Sequence, residues 1–225
     1  MRLFLVSIAG LATATAATIP AVAGPAIDVR FAPRAVTQIE VGDFHFLPGQ
    51  KAPIHTHVAP AYGYVSKGAI LYHVEGRKPV ILKAGDAFFE PVGPRILKFD
   101  NASATEEAVF TDWNPERAGD PFIVFPKPPT EKIDRRSFAT VAASGAVASR
   151  VTSRALALVT GKPRAIVAGE QPITGYVAAG RVTLTTSAGR ETFATGTSFA
   201  VPANSRGELT ADGGTARAVT FTLSR

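Results

Sequence analysis

Residues 60–68 read PAYGYVSKG, and 112 residues further on residues 172–180 read PITGYVAAG. The proline, the Gly-Tyr-Val triplet and the closing glycine all return in register. The same offset runs without gaps back to Gly49 and Gly161. With a one-residue slip it continues forward, setting Gly85, Phe88 and Pro91 against Gly196, Phe199 and Pro202, and Phe110 against Phe221 near the end of each copy. Glycines, prolines and apolar positions kept in one order identify an internal duplication.

Each copy reads as a string of short strands. Ile70, Tyr72 and Val74 alternate with their neighbours, as do Val182 and Leu184, and period-two alternation sends one set to the interior of a sheet structure. Gly68 and Gly180 fit turns that need positive φ, while Gly85-Asp86 and Gly196-Thr197 mark the next turns, with Asp86 placed to cap backbone amides. Helical signals are scarce, and Val/Ile/Phe-rich runs are punctuated by Gly and Pro throughout. The chain is therefore predicted to be all-β. The two copies divide it into a first barrel over residues 24–125, a linker over 126–149 that begins with Pro126, Pro128 and Pro129, and a second barrel over 150–225.

Residues 1–23 carry a different pattern. Arg2, the apolar run Leu3 to Ala17 and the triplet Ala21-Val22-Ala23 make a secretory signal peptide with cleavage before Gly24. The run is short and Thr-rich for a bilayer anchor. This predicts a secreted or periplasmic protein with no membrane attachment after cleavage. The net charge of +6 falls to about +5 once Arg2 is removed. No cysteine occurs in the 225 residues, which excludes disulfides, thiolate chemistry and cysteine-held zinc. The densest basic patch, Lys132 to Arg136, is interrupted by Asp134, preceded by Glu131 and lacks aromatics, so no nucleic-acid partner is expected. There is also no G-x-S-x-G elbow, phosphate loop or dinucleotide fingerprint.

All four histidines fall in the first copy. His55 and His57, one residue apart on an apparent strand, project to the same face, where two nitrogens can reach one metal ion about 2.1 Å away. A third protein ligand is needed to complete a usual set. Glu90 is the candidate: it shares a strand face with Phe88, its counterpart in the second copy is Val201, and an inward carboxylate is costly unless paired or metal-bound. The alternative places Glu90 at the barrel mouth, solvated or paired with a Lys or Arg. His45 and His73 alternate with apolar neighbours and are expected to face outward. Tyr62 can either hydrogen-bond a ligand or pack into the core.

On these residues the chain resembles the cupins. Their first motif, G-x5-H-x-H-x3,4-E-x6-G, is met by Gly49, His55, His57 and Gly68; their second, G-x5-P-x-G-x2-H-x3-N, begins with Gly85, Pro91 and Gly93. The likeness covers most of Phe44 to Phe110 and, more faintly, Leu156 to Phe221. It implies a bicupin of two tandem jelly-roll barrels, with one divalent metal (iron, manganese or zinc) in the first barrel and none in the second. The departures are specific. Ala61 stands where the family has its metal-binding glutamate, Ile96 where it has its last histidine and Asp100 where it has asparagine. The second copy has Val167 and Gly169 in place of the two histidines. Glu90 is the residue that could replace the glutamate lost at Ala61. Three functions stay open at this level: a metal-dependent oxygenase or isomerase acting on a small organic substrate, a non-catalytic small-molecule binder, and a structural role in which the second barrel serves as scaffold. Pairing through barrel edges or faces leaves room for a homodimer.

Overall fold

The computed structural model describes residues 26–129 and 135–225. The predicted signal peptide and the linker residues 130–134 lie outside the described residues. Seventeen strands and no helix make up the described chain. The first two are β1 (Asp28–Ala35) and β2 (Gln38–Phe46). The first copy continues through β3 (Ala61–Lys67), β4 (Ala69–Val74), β5 (Val80–Lys83), β6 (Ala87–Glu90), β7 (Ile96–Asn101) and β8 (Ala108–Glu116). Then come β9 (Arg135–Ala142) and β10 (Val147–Val159), followed by β11 (Arg164–Val167), β12 (Ile173–Ala179), β13 (Arg181–Thr186), β14 (Gly189–Ala194), β15 (Ser198–Val201), β16 (Arg206–Ala211) and β17 (Thr215–Ser224).

The strands form two jelly-roll barrels, each a pair of antiparallel sheets. The first has sheets ordered β9-β2-β8-β3-β6 and β5-β4-β7; the second has β1-β10-β17-β12-β15 and β11-β16-β13-β14. The alternation read from sequence holds, since Ile70, Tyr72, Val74, Val182 and Leu184 are all buried. The turn glycines Gly68 and Gly180 have φ of 71° and 75°. Asp86 accepts a hydrogen bond from the Lys83 amide at 2.7 Å. The repeated Gly63 and Gly175 have a packing cause: a Cβ at either would run into the ring of Phe88 or of Phe199.

Two details depart from the sequence reading. Residues 135–142, expected inside a linker, are strand β9, and they extend the sheet of the first barrel by pairing with β2 from Gln38↔Ala142 to Phe44↔Arg135. Reciprocally, β1 precedes the first barrel in sequence yet pairs with β10 of the second. Each barrel thus receives the arm that precedes the other. An exposed outer strand is a liability that a paired arm removes, and here the exchange also ties the barrels together. The register of β1 shifts between Arg30 and Arg34, around Pro33, which has no amide to donate to the ladder.

The second departure concerns the repeat near its end. Tyr62 pairs with Trp113 on β8, and its counterpart Thr174 pairs with Phe221 on β17. Phe221 therefore takes the place of Trp113, and the counterpart of Phe110 is Ala218. Both copies carry the same bulge, after Val65 and after Val177, which confirms this alignment.

Between the barrels lies a core to which both contribute, including Ile39, Tyr62, Tyr64 and Trp113 from one and Val151, Tyr176, Phe221 and Leu223 from the other. Counterparts meet each other across it: Tyr64 and Tyr176 at 5.5 Å between ring centroids, Trp113 and Phe221 at 4.8 Å. Self-contact of equivalent residues is the signature of an isologous interface, so the duplicated halves face each other about an approximate two-fold axis.

Candidate metal centre

His55 and His57 lie in the connection between β2 and β3. They are held by single bridges rather than by a full strand: His55 to Ile96, Thr56 to Val124 and His57 to Val92. The first two have backbone bonds in both directions, at 2.8 and 3.3 Å for His55 and Ile96 and at 2.9 Å for Thr56 and Val124. Glu90 closes β6. It stands directly opposite Ala61 in the β3–β6 ladder, and directly opposed residues share a face and a Cβ spacing of about 5 Å. A carboxylate on Glu90 thus enters the space that a side chain at position 61 would have used. Tyr72 donates a hydrogen bond to the Phe89 carbonyl at 2.7 Å and fixes β6 beside it.

All three side chains are buried, with His55, His57 and Glu90 exposed by 7%, 3% and 4%. Their donor atoms lie within 4.8 Å of one another, close to the span that bonds of about 2.1 Å to a shared ion allow. His57 Nε2 is 3.1 Å from Glu90 Oε2, and His55 Nε2 is 3.9 Å from Glu90 Oε1. His55 Nδ1 donates to the Pro53 carbonyl at 2.9 Å. A carbonyl only accepts, so this bond sets the tautomer and leaves the Nε2 lone pair directed at the centre. Burial holds the His55 imidazole below its usual range, against the opposing charge of Glu90, and so favours the neutral ligand form. Burial disfavours ionisation of Glu90, but the charges of His57 and His55 and the hydrogen bond from His57 together outweigh it, and the carboxyl stays below its usual range. Glu90 Oε1 and His57 Nδ1 are buried without a hydrogen-bond partner. An unpaired buried carboxylate oxygen is costly, and a cation shared with the two imidazoles would satisfy it. The donor set fits a metal ion.

The centre opens into a cavity of about 40 Å³ walled by Phe44, Phe46, Phe99, Phe110 and Phe122, with Asp112 also in its lining. That is room for an ion and one or two waters. Phe122 and Ile123 come from the segment after β8, which crosses the site and is pinned by the Thr56–Val124 bridge. Sequence reading assigned this run to the end of the first barrel without seeing its role, although the apolar stretch Phe122 to Phe125 between Pro121 and Pro126 carried the signal. Asp112 was also missed. It lies two residues from Phe110 on β8, and strand parity alone would have placed the two on one face.

Tyr62 is corrected. It is not in the lining of this cavity but sits between the barrels, stacked on Trp113 at 6.1 Å and tilted against Phe221 at 5.1 Å, with its hydroxyl 3.5 Å from that of Thr174. The reason is parity: Ala61 and Gly63 take the inward positions, and Tyr62 between them points to the other face. His45 stays apart from the centre, 3.2 Å from both Glu107 and Asp43. His73 is half-buried on β4 between Tyr72 and Val74, which are buried. In the second barrel Val201, the counterpart of Glu90, is fully buried and Val167 is exposed, and among the described residues no donor set of this kind is found there.

Residues 42–114 match the family described as Cupin domain. The first barrel is a cupin domain. No curated protein sequence matches the chain. Among solved structures the chain resembles salicylate 1,2-dioxygenase from Pseudaminobacter salicylatoxidans, with a TM-score of 0.56 and 14% identity over 83% of this chain and 71% of that one. It also resembles AerE from Microcystis aeruginosa (TM-score 0.58, 11% identity, 89% and 97% covered) and a variant of oxalate decarboxylase from B. subtilis (TM-score 0.57, 12% identity, 87% and 76% covered). At such identities the likeness shows a shared fold. Within the matched domain the chain departs at both expected positions. Ile96, in the slot of the family's last histidine, is buried and bridges His55 through its backbone, while Glu90 reaches the centre from the strand beside Ala61.

Proposed function

We propose that His55, His57 and Glu90 hold one divalent transition metal, and that the first barrel works as a metal-dependent oxygenase or isomerase on a small organic substrate. The observation that carries this reading is Glu90, a buried carboxylate gathered with two imidazoles and left with one oxygen unpaired. Two histidines and one carboxylate with further positions open suit Fe(II) and Mn(II), and zinc as well. When bound, such an ion supplies Lewis-acid or one-electron chemistry to an oxygen-bearing substrate. The chain's own part is positional. The Pro53 carbonyl orients His55, Glu90 contributes the negative charge, and the phenylalanine walls keep bulk water away. A cavity of about 40 Å³ restricts direct access to very small molecules unless Phe122 and Ile123 move aside. The dioxygenase and decarboxylase among the structural relatives support the reading at the level of fold analogy.

Elemental analysis of wild type against a His55→Ala/His57→Ala variant tests this. Near-stoichiometric iron, manganese or zinc in wild type that is lost in the variant is the expected result. Absence of metal from both, even after incubation with metal salts, would turn the assignment to a metal-free ligand binder.

We also propose export, supported by the run Leu3 to Ala17 followed by Ala21-Val22-Ala23. N-terminal sequencing of the exported product is expected to begin at Gly24; material that starts at Met1 would overturn it. Among the described residues no helix is long and apolar enough to cross a membrane.

A further inference from the structure

The second barrel, read from sequence as a scaffold, contains a cavity far larger than the one at the metal centre. Its volume is about 460 Å³, within the range of about 300–1,000 Å³ usual for small-molecule sites. The cause is visible in the register. Leu156 pairs with Ala218 where Phe44 pairs with Phe110, and Leu209 stands opposite Leu184 where Phe99 stands opposite Tyr72. Four rings of the first barrel are thus replaced by three leucines and an alanine, and two of these smaller side chains, Leu156 and Leu209, line the cavity.

Its polar groups are arranged on both walls. On one sheet Arg154 is opposite Thr220 and Thr152 opposite Thr222, and all four line the cavity. On the facing sheet Arg164 is opposite the buried Leu209, so it too projects to the inner face. Two guanidinium groups therefore approach one space from opposite sheets, above a floor of Leu156, Ile166, Ile173 and Leu209. No Asp or Glu is in the lining, and among the described residues neither arginine makes an ion pair. Arginine without an acidic partner, with threonine hydroxyls beside it, is suited to bidentate recognition of a carboxylate or similar oxyanion. The floor suits a hydrocarbon body.

We propose that the second barrel binds a small organic carboxylate, with its charged group between Arg154 and Arg164 and its apolar body on the leucine and isoleucine floor. This site stands independently of any metal in the first barrel. Calorimetric titration and amide chemical-shift mapping would use the mature chain carrying His55→Ala/His57→Ala, which silences the first site. The probes are benzoate, hexanoate, the neutral isostere benzamide and inorganic phosphate, all at one low ionic strength. Benzoate or hexanoate is expected to bind with shifts confined to β10, β11, β16, β17 and the start of β12, and at least tenfold more tightly than benzamide or phosphate. Arg154→Gln/Arg164→Gln should weaken that binding at least tenfold. Both arginines are exposed at the mouth, so an unchanged melting temperature checks that the variant is folded, and single variants serve if the pair is not. No carboxylate binding, equal binding of benzamide, equal binding of phosphate, or binding indifferent to the arginines would each overturn the proposal.

Discussion

Glu90→Gln is expected to lower the affinity of the first barrel for zinc or manganese at least about 100-fold, about 2.7 kcal/mol, with both barrels still folded. The carboxylate is the only anionic member of a donor set whose other two ligands are imidazoles, which bind a metal as neutral groups. Removing its charge inside a buried site forfeits the strongest interaction with a dication. The amide keeps the volume of the side chain and can still bond His57, so the packing around it is not disturbed. Competition titration against a chromogenic chelator measures the change, and circular dichroism checks the fold. A relocation variant sharpens the test. Because Ala61 and Glu90 oppose each other in the ladder, Glu90→Ala/Ala61→Glu should return the affinity to within about tenfold of wild type. Glu90→Gln that binds metal as wild type does would remove Glu90 from the centre.

The repeat made the two-barrel fold legible, because each copy carries its own turns and alternation. The centre was legible for a similar local reason: the histidine pair sits in a motif, and the parity of β6 put Glu90 on the same face as Phe88. What escaped was set by contacts between distant residues. The arms read DVRFAPRA and RRSFATVA, each carrying charged residues and too weakly patterned to name a partner. Their exchange becomes visible only when Val29 is found opposite Val151 and Val141 opposite Ile39. Matching Phe110 to Phe221 followed the residue letter, whereas the ladder aligns Phe221 with Trp113, since both must fill the core between the barrels. Tyr62 stayed open between a ligand contact and the core, although Ala61 and Gly63 on either side already claimed the barrel interior. The open second cavity is the least legible of all. It is lined by Leu156 and Leu209 where the first barrel has Phe44 and Phe99, substitutions that look like ordinary core variation in sequence.

Glu116 gives the other large effect, on stability. It is fully buried at the end of β8 with Oε1 lacking a hydrogen-bond partner, while Gln38 Nε2 donates to Oε2 at 3.2 Å. Burial pushes its carboxyl up to about 7; Gln38 opposes the shift, Glu40 and Asp120 add to it, and Arg34 again opposes. In the unfolded chain the same group titrates near 4.5. The folded state therefore holds the proton more tightly, and this stabilisation is complete below about pH 4.5 and is lost as pH rises through about 7. The loss amounts to about 2–3 kcal/mol. Urea denaturation at pH 5 and pH 8 is expected to show wild type falling by that much more than Glu116→Gln, which has no proton to lose. Parallel behaviour of the two proteins would mean that Glu116 ionises as an exposed carboxylate does. The place gives the effect its meaning. Arg34, from the exchanged arm, donates to Asp120 at 2.5 Å and to the Val58 carbonyl at 2.6 Å, and Thr37 accepts the Ala118 amide at 2.9 Å. Ionisation of Glu116 therefore puts a charge beneath the junction where the arm of the second barrel meets the segment crossing the first. Stability that falls with pH in wild type alone reports on that junction rather than on the metal centre.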